Sequence, residues 1–426
     1  MGGRLAQYAA AFVTLVAGGT YVYTHPTSQP QTWALAVGEE QRVGVFTVKR
    51  SSSAKPNADT SHHVTTDKGR VGFVNPWPSF SNFGGVSPGA VLRFATSSRP
   101  KIPAEDQRVP VKTVDFAALA SVRANEKLMG LTWLGHAAML LSTPIANVLL
   151  DPCLSDRCSP FQFAGPKRLV PPPCKLHELD VDVIIVSHNH YDHLDLETMT
   201  KLAEKKPDIL FFVPLGNKQL LNNAGFKNVI ECDWWDTYQL TLNDSKSSTD
   251  SVSKGVSLFG ASRTKTVSTL EITCTPCQHF SSRTLWDRNE TLWSSWYVKT
   301  PQRGFFFGGD TGYRTVRIGD DEDAVPTCPA FKEIKTHLGA PDLSAIPIGA
   351  FRPREFCSPV HCSPKDAVDL HMDIGSKKSV GIHWGTYVLT PDEYYEPPTL
   401  LKEALIKKGI KLDEFVTIDI GDSIFV

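Results

Sequence analysis

The sequence has no excess of charge of either sign: 44 lysines and arginines stand against 45 aspartates and glutamates, for a formal net charge of −1 over 426 residues. That balance provides no basic footprint for phosphate backbones, so nucleic acid is not an expected partner. The chain also lacks the cysteine pattern of a disulfide scaffold. Its nine cysteines are an odd number at irregular spacings, and a chain of this length needs no stapling, which fits a reduced intracellular compartment. Cys274-Thr275-Pro276-Cys277 has CxxC spacing, but no second CxxC accompanies it. Leu270, Ile272 and Cys274 alternate with polar residues as in a strand, so a structural role is expected rather than a redox or zinc site. No internal repeat is visible, and length alone leaves open one large core or two ordinary ones.

Long apolar runs are scarce as well. Leu5 to Tyr23 carries no formal charge, has Arg4 before it and Pro26 after it, and matches the ~20 residues that span a bilayer. Threonine, glutamine and glycine dilute it, and the first acidic residue is Glu39. Residues 1–30 are therefore expected to be either a membrane anchor or a targeting segment. Residues 31–71 read as a linker, because 47–70 are rich in serine, threonine and lysine without helix or strand periodicity. Residues 72–126 carry proline or glycine every few positions up to Pro110 and read as an irregular arm wrapped on the domain that follows.

Texture changes near residue 127. Leu131–His136, Ala138–Leu141 and Val148–Pro152 are short apolar runs with turn signals, and Val181–Val186 is a nearly continuous apolar strand. Leu196, Met199 and Leu202 then recur at helical spacing, Ile209–Val213 and Phe305–Phe307 are again strand-like, and Leu400–Lys408 looks helical. Alternating strands and helices imply an α/β catalytic domain over 127–426, with 243–254 a polar surface insertion.

At the strand-to-helix junction stands Ser187-His188-Asn189-His190-Tyr191-Asp192-His193, a His-x-His-x-Asp-His pattern. On extended backbone His188 and His190 point the same way and can reach one metal. Asp192 and His193, at the start of the helix, turn toward a neighbouring position. The spacing suits two adjacent metals, which need further ligands from other elements. Cys277-Gln278-His279, Gly308-Gly309-Asp310-Thr311-Gly312 and Ile382-His383-Trp384-Gly385-Thr386 each place a candidate past a strand or in a glycine turn. Taken singly, His279 reads as a loop histidine, Asp310 as a turn former and His383 as a core histidine; beside the signature all three become ligand candidates.

These segments, together with Phe73-Val74-Asn75-Pro76-Trp77-Pro78, Trp133-Leu134-Gly135-His136-Ala137 and Ala345–Ala350, resemble the N-acyl-phosphatidylethanolamine-hydrolysing phospholipase D family of the metallo-β-lactamase superfamily. They follow the family's order from about residue 62 to about residue 420. The resemblance implies a metallo-β-lactamase αββα sandwich and two zinc ions per chain. One would be held by His188, His190 and His279, the other by Asp192, His193 and His383, with Asp310 bridging them and orienting a hydroxide that attacks the phosphodiester. Tyr191 and His361 fall where the family contacts lipid. Val360, however, precedes His361 where a polar residue is familiar, and a surface histidine is the other reading. His136, in a turn beside Gly135, is expected to make a structural hydrogen bond.

The implied reaction releases N-acylethanolamine and phosphatidic acid from a phospholipid substrate at a membrane, intracellular and either mitochondrial or of the ER and Golgi. The arm is a candidate for a subunit contact, which leaves monomer and homodimer open. The metal set does not itself select the substrate, so another phospholipid, a thioester or a lactone stays chemically open. A non-catalytic membrane scaffold would show eroded ligands, and none is eroded.

Overall fold

A computed structural model of the chain describes residues 35–55, 60–65, 69, 71–80, 89, 93–94, 96–98, 100–243, 269–284 and 286–426. The Leu5–Tyr23 stretch and all of the polar insertion beyond Asn243 lie outside them. Among the described residues no helix is long and apolar enough to cross a membrane.

The strands in chain order are β1 (Glu40–Val43), β2 (Phe46–Arg50), β3 (His63–Thr65), β4 (Val71–Phe73), β5 (Gly130–Gly135), β6 (Ala138–Ser142), β7 (Asn147–Leu150), β8 (Val183–Ile185) and β9 (Leu210–Pro214). They continue as β10 (Val229–Cys232), β11 (Thr237–Leu242), β12 (Thr269–Thr275), β13 (Ser295–Lys299), β14 (Gly304–Phe307), β15 (Leu343–Pro347), β16 (Ser379–Ile382), β17 (Phe415–Val416) and β18 (Ser423–Phe425). Helices among the described residues include α1 (Phe116–Arg123), α2 (Leu196–Lys205), α3 (Lys218–Asn223), α4 (Ala330–Leu338), α5 (Arg354–Cys357), α6 (Pro364–Ile374) and α7 (Glu396–Lys408).

Among the described residues, two sheets account for the strands other than the β3–β4 hairpin. One has nine strands in the order β1-β2-β11-β12-β13-β14-β15-β16-β17, the other seven in the order β10-β9-β8-β7-β6-β5-β18. Side chains alternate across a strand, and the buried clusters separate along that period. Leu131, Trp133, Val183, Ile185, Leu210 and Phe212 pack in the same core as Ile272, Trp296, Val298 and Phe305 of the larger sheet. Their neighbours Leu134, Ile184, Phe211 and Val213 face the other way, onto Met199 and Leu202 of α2 and Leu221 of α3. On the far side Phe331 of α4 meets Phe306 edge-on at 6.2 Å, and α6 packs on β15 and against α7. The result is the helix, sheet, sheet, helix layering that the resemblance implies.

The linker reading is corrected. β2 pairs with β11 along Phe46–Arg50, with Phe46 and Val48 buried in the main core, so the catalytic sheet begins near residue 40 rather than 127. Its alternation of apolar and polar residues is a strand signal, hidden by the serines that follow. β3 likewise falls in the stretch read as linker, and its partner β4 straddles the boundary between linker and arm. Among the described residues of the arm, regular structure includes the end of β4, a 3-10 turn at Glu105–Gln107 and α1, whose first turn is capped by the Asp115 carboxylate accepting from the Ala118 N–H. All nine cysteines are free, and Cys274 and Cys277 are fully buried apolar packing, as expected of a structural pair.

Candidate metal centre

The C-terminal ends of β5, β7, β8, β12, β14 and β16 deliver His136, Asp151, the Ser187–His193 run, His279, Asp310 and His383. Keeping them together strains the backbone. His136, Asp151 and His383, none of them glycine, have φ of 52°, 42° and 66°, a conformation that costs about 1–3 kcal/mol each and persists only where the surroundings impose it. Here they do: the His136 carbonyl accepts from the His383 N–H (3.0 Å) and from the Trp133 indole N–H (2.9 Å), and the His136 N–H donates to Thr386 Oγ1 at 2.6 Å. Gly309, at φ 56°, precedes Asp310 where a Cβ would lie 2.6 Å from Ser187 Cβ, so the turn that presents this carboxylate needs glycine.

Two groups of ligand atoms result. His188 Nε2 lies 2.7 Å from His190 Nδ1, and His279 Nε2 lies 3.4 Å from the same Nδ1. Across from them, His193 Nε2 and His383 Nε2 lie 3.4 and 3.5 Å from Asp192 Oδ2. Asp310 stands between the groups: its Oδ2 is 3.2 Å from His193 Nε2 and 3.8 Å from His279 Nε2, and its Oδ1 is 3.1 Å from His383 Nε2. All seven sequence-derived candidates thus converge.

Outer partners set which ring nitrogen faces inward. His193 Nδ1–H donates to Asp151 Oδ2 (2.6 Å) and His279 Nδ1–H to the Val360 carbonyl (2.8 Å). Ser187 Oγ–H donates to Asp151 Oδ2 (2.6 Å) and accepts from His188 Nδ1–H at 2.9 Å. With Nδ1 occupied, the Nε2 lone pairs of these three rings are left for a cation, the arrangement typical of metal-ligating histidines. The fit of a metal is visible in what the protein leaves unsatisfied. His193 Nε2, His383 Nε2 and Asp310 Oδ1 are buried with no hydrogen-bond partner, a penalty of about 1–3 kcal/mol per group that divalent cations would remove.

Electrostatics point the same way. Burial holds His188 and His279 well below the ordinary imidazole range and His190 down to about 3, so these three are neutral ligands at pH 7. Burial would raise Asp192 and Asp310, but the surrounding histidines, His193 first, hold both well below the usual carboxylate range. Those carboxylates in turn outweigh burial at His193 and His383, lifting His193 well above its ordinary value and His383 to about 9. Without a cation, a proton occupies that side; metal binding would expel it.

His136 joins the second group: its Nε2 lies 2.9 Å from Asp192 Oδ2, in keeping with the expected hydrogen bond. His361 is not a surface residue. It is 8% exposed, its ring lies 5.2 Å from that of His279, and its unpartnered Nδ1 lies 3.8 Å from Asp310 Oδ2. Tyr191 is half-buried at the rim, with the Arg283 guanidinium 3.9 Å over its ring. Arg283 also donates to the carbonyls of Asn189 and Leu194, clamping the signature loop. Asp151 was missed in the sequence; its only signal is an aspartate ending the run Val148–Leu150. A small cleft of about 40 Å³ adjoins the centre, lined by His136, His383, Trp384, Tyr387, Leu389 and Tyr394 among others.

Comparison with known proteins places the chain in a family. Residues 146–384 match the model of the beta-lactamase superfamily domain. The chain is 36% identical over 369 residues, 82% of its own length and 91% of the relative's, to N-acyl-phosphatidylethanolamine-hydrolyzing phospholipase D 1 of Caenorhabditis elegans. It is 30% identical over 309 residues, 70% of its length and 58% of the relative's, to the mitochondrial N-acyl-phosphatidylethanolamine-hydrolyzing phospholipase D of Saccharomyces cerevisiae. An uncharacterized protein of Mycobacterium tuberculosis, Rv0906, is 34% identical over 296 residues, 68% of this chain and 67% of that one. A metallo-β-lactamase-fold hydrolase by its layers and its site, the chain belongs to the N-acyl-phosphatidylethanolamine-hydrolysing phospholipase D family.

Proposed function

We propose that the chain is a dinuclear zinc phosphodiesterase that hydrolyses N-acyl-phosphatidylethanolamine to N-acylethanolamine and phosphatidic acid. The observation that carries this reading is the convergence of His188, His190 and His279 on one side of Asp310 and of Asp192, His193 and His383 on the other. The activity named for the nematode and yeast relatives supports the substrate. A set rich in imidazole with two carboxylates favours zinc. Two zinc ions bound there would supply a water-derived nucleophile at neutral pH and neutralise charge on the phosphoryl oxygens.

The chain's own residues do the rest. Asp310, unpartnered at Oδ1 and wedged between both groups, orients the attacking water. Asp151, Ser187 and the Val360 carbonyl fix the inner histidines, so that nothing need reorganise as charge develops. His361 presents a free Nδ1 beside Asp310; burial holds it down to about 4, so it is neutral at pH 7 and can donate a hydrogen bond to a phosphoryl oxygen. Tyr191, at the rim, contacts the lipid. The enzyme works on a phospholipid at an intracellular membrane, with no nucleic acid partner; the mitochondrial address of the yeast relative supports an organellar one.

Hydrolysis in ¹⁸O-water tests the reaction. Zinc-loaded protein acting on N-acyl-phosphatidylethanolamine should release N-acylethanolamine and place the label in phosphatidic acid, since water attacks phosphorus. Release of free fatty acid, or an untouched substrate alongside cleavage of another ester, would overturn it.

A further inference from the structure

Apart from the centre described above, one other buried group gathers metal-ligating atoms among the described residues: His62, His63 and Asp233. His62 Nε2 lies 2.8 Å from Asp233 Oδ1, and His63 Nε2 lies 2.8 Å from Asp233 Oδ2. The histidine side chains are 3% and 5% exposed and that of Asp233 23%. Neighbouring residues of an extended chain normally face opposite ways. Here the backbone turns just before β3 and brings the two rings to 4.3 Å, edge to face.

Aromatic neighbours hold them there. Trp234 stacks on His62 at 4.1 Å and on Trp77 at 5.3 Å, and Phe73 meets His63 edge-on at 5.3 Å. Asp233 Oδ1 is engaged by His62 and by the Trp234 N–H (2.8 Å). The other contact is different in kind: despite its short separation from Oδ2, His63 Nε2 is not aligned for a hydrogen bond and has no partner. That nitrogen is buried beside a carboxylate oxygen and left without a hydrogen-bond partner, so it is available to a cation that the carboxylate also reaches. Two imidazoles and a carboxylate form a three-ligand zinc set, with a fourth position for water on the exposed side of Asp233.

We propose that His62, His63 and Asp233 form a separate, structural cation site, with zinc as the preferred ion, that pins the β3–β4 hairpin to the turn after β10. The clasp has a consequence for the main centre. The same hairpin runs on to Asn75, whose side-chain amide donates to the His279 carbonyl at 2.8 Å, and to Ser79, whose hydroxyl donates to Gln278 Oε1 at 2.6 Å. A cation at the clasp therefore steadies the backbone that carries a ligand of the other centre.

Metal content of the full chain, purified with zinc and measured by elemental analysis, tests the proposal independently of catalysis. A His62→Gln/His63→Gln double variant should hold one zinc fewer per chain than the wild type, whatever number the main centre holds. Equal zinc content would reduce the group to a hydrogen-bonded clasp and overturn the proposal. Should the double variant not fold, His63→Gln alone takes its place: it should hold one zinc fewer than the wild type, and equal zinc content would overturn the proposal equally.

Discussion

Asp151 touches no candidate metal position, yet three donors end on its carboxylate: the Ser187 N–H (2.7 Å), the Ser187 hydroxyl and His193 Nδ1–H. An amide in its place cannot accept at its nitrogen, so Asp151→Asn must leave a buried donor unpaired or turn the His193 ring. We expect zinc affinity to fall about 10–100-fold with the fold retained, measured by chelator competition; unchanged affinity would contradict the orienting role. His361→Ala should behave in the opposite way, keeping its zinc while turnover drops about 10²-fold, because its side chain lies beside the ligand set rather than in it. The difference between these residues also marks what could be read in advance. Four candidate ligands sit in one seven-residue run and announce themselves through spacing. Asp151 acts on a histidine 42 positions away, and the Val360 carbonyl is backbone, so neither leaves a local pattern.

Elements with strong periodicity were legible: the apolar strand before the signature, the helix through Leu196, Met199 and Leu202, and the C-terminal helix all stand where the pattern puts them. β2 was not, because a five-residue strand offers only two apolar positions, Phe46 and Val48, and polar context outweighs them. Those two side chains are 3% and 0% exposed, each worth about 1.5–3 kcal/mol when fully buried, and β2 covers the edge of β11. Compared with a chain starting at residue 35, one starting at residue 51 should melt at clearly lower temperature and aggregate through its exposed edge. Equal melting temperatures would mean that β1 and β2 are ornamental.

At the scale of the whole molecule, the two sheets bring six strand ends to one rim, and the cleft beside it contains a titrating group. Burial pushes Asp392 up to about 6, although the N–H groups of Phe351 and Arg352 both donate to it. Below the ordinary carboxylate value near ~4, both folded and unfolded chains are protonated there and Asp392 contributes nothing to the pH dependence. Between about 4 and 6 the unfolded chain ionises first, so stability falls as pH rises, and above about 6 the loss is complete. Thermal melts should therefore show the wild type losing stability relative to Asp392→Asn from pH 4 to 6; a relative gain would reverse the sign and refute it.

The layered architecture was legible from alternating elements and the resemblance, whereas the start of the sheet, long before the signature, was visible only once strand pairing was seen. The central claim concerns the chemistry at the rim, and head-group release from a phospholipid panel tests it most directly. Zinc-loaded full chain should liberate N-acylethanolamine from N-acyl-phosphatidylethanolamine and far less head group from phosphatidylethanolamine or phosphatidylcholine lacking the N-acyl group. No release from the N-acylated lipid, with the zinc centre filled, would contradict it.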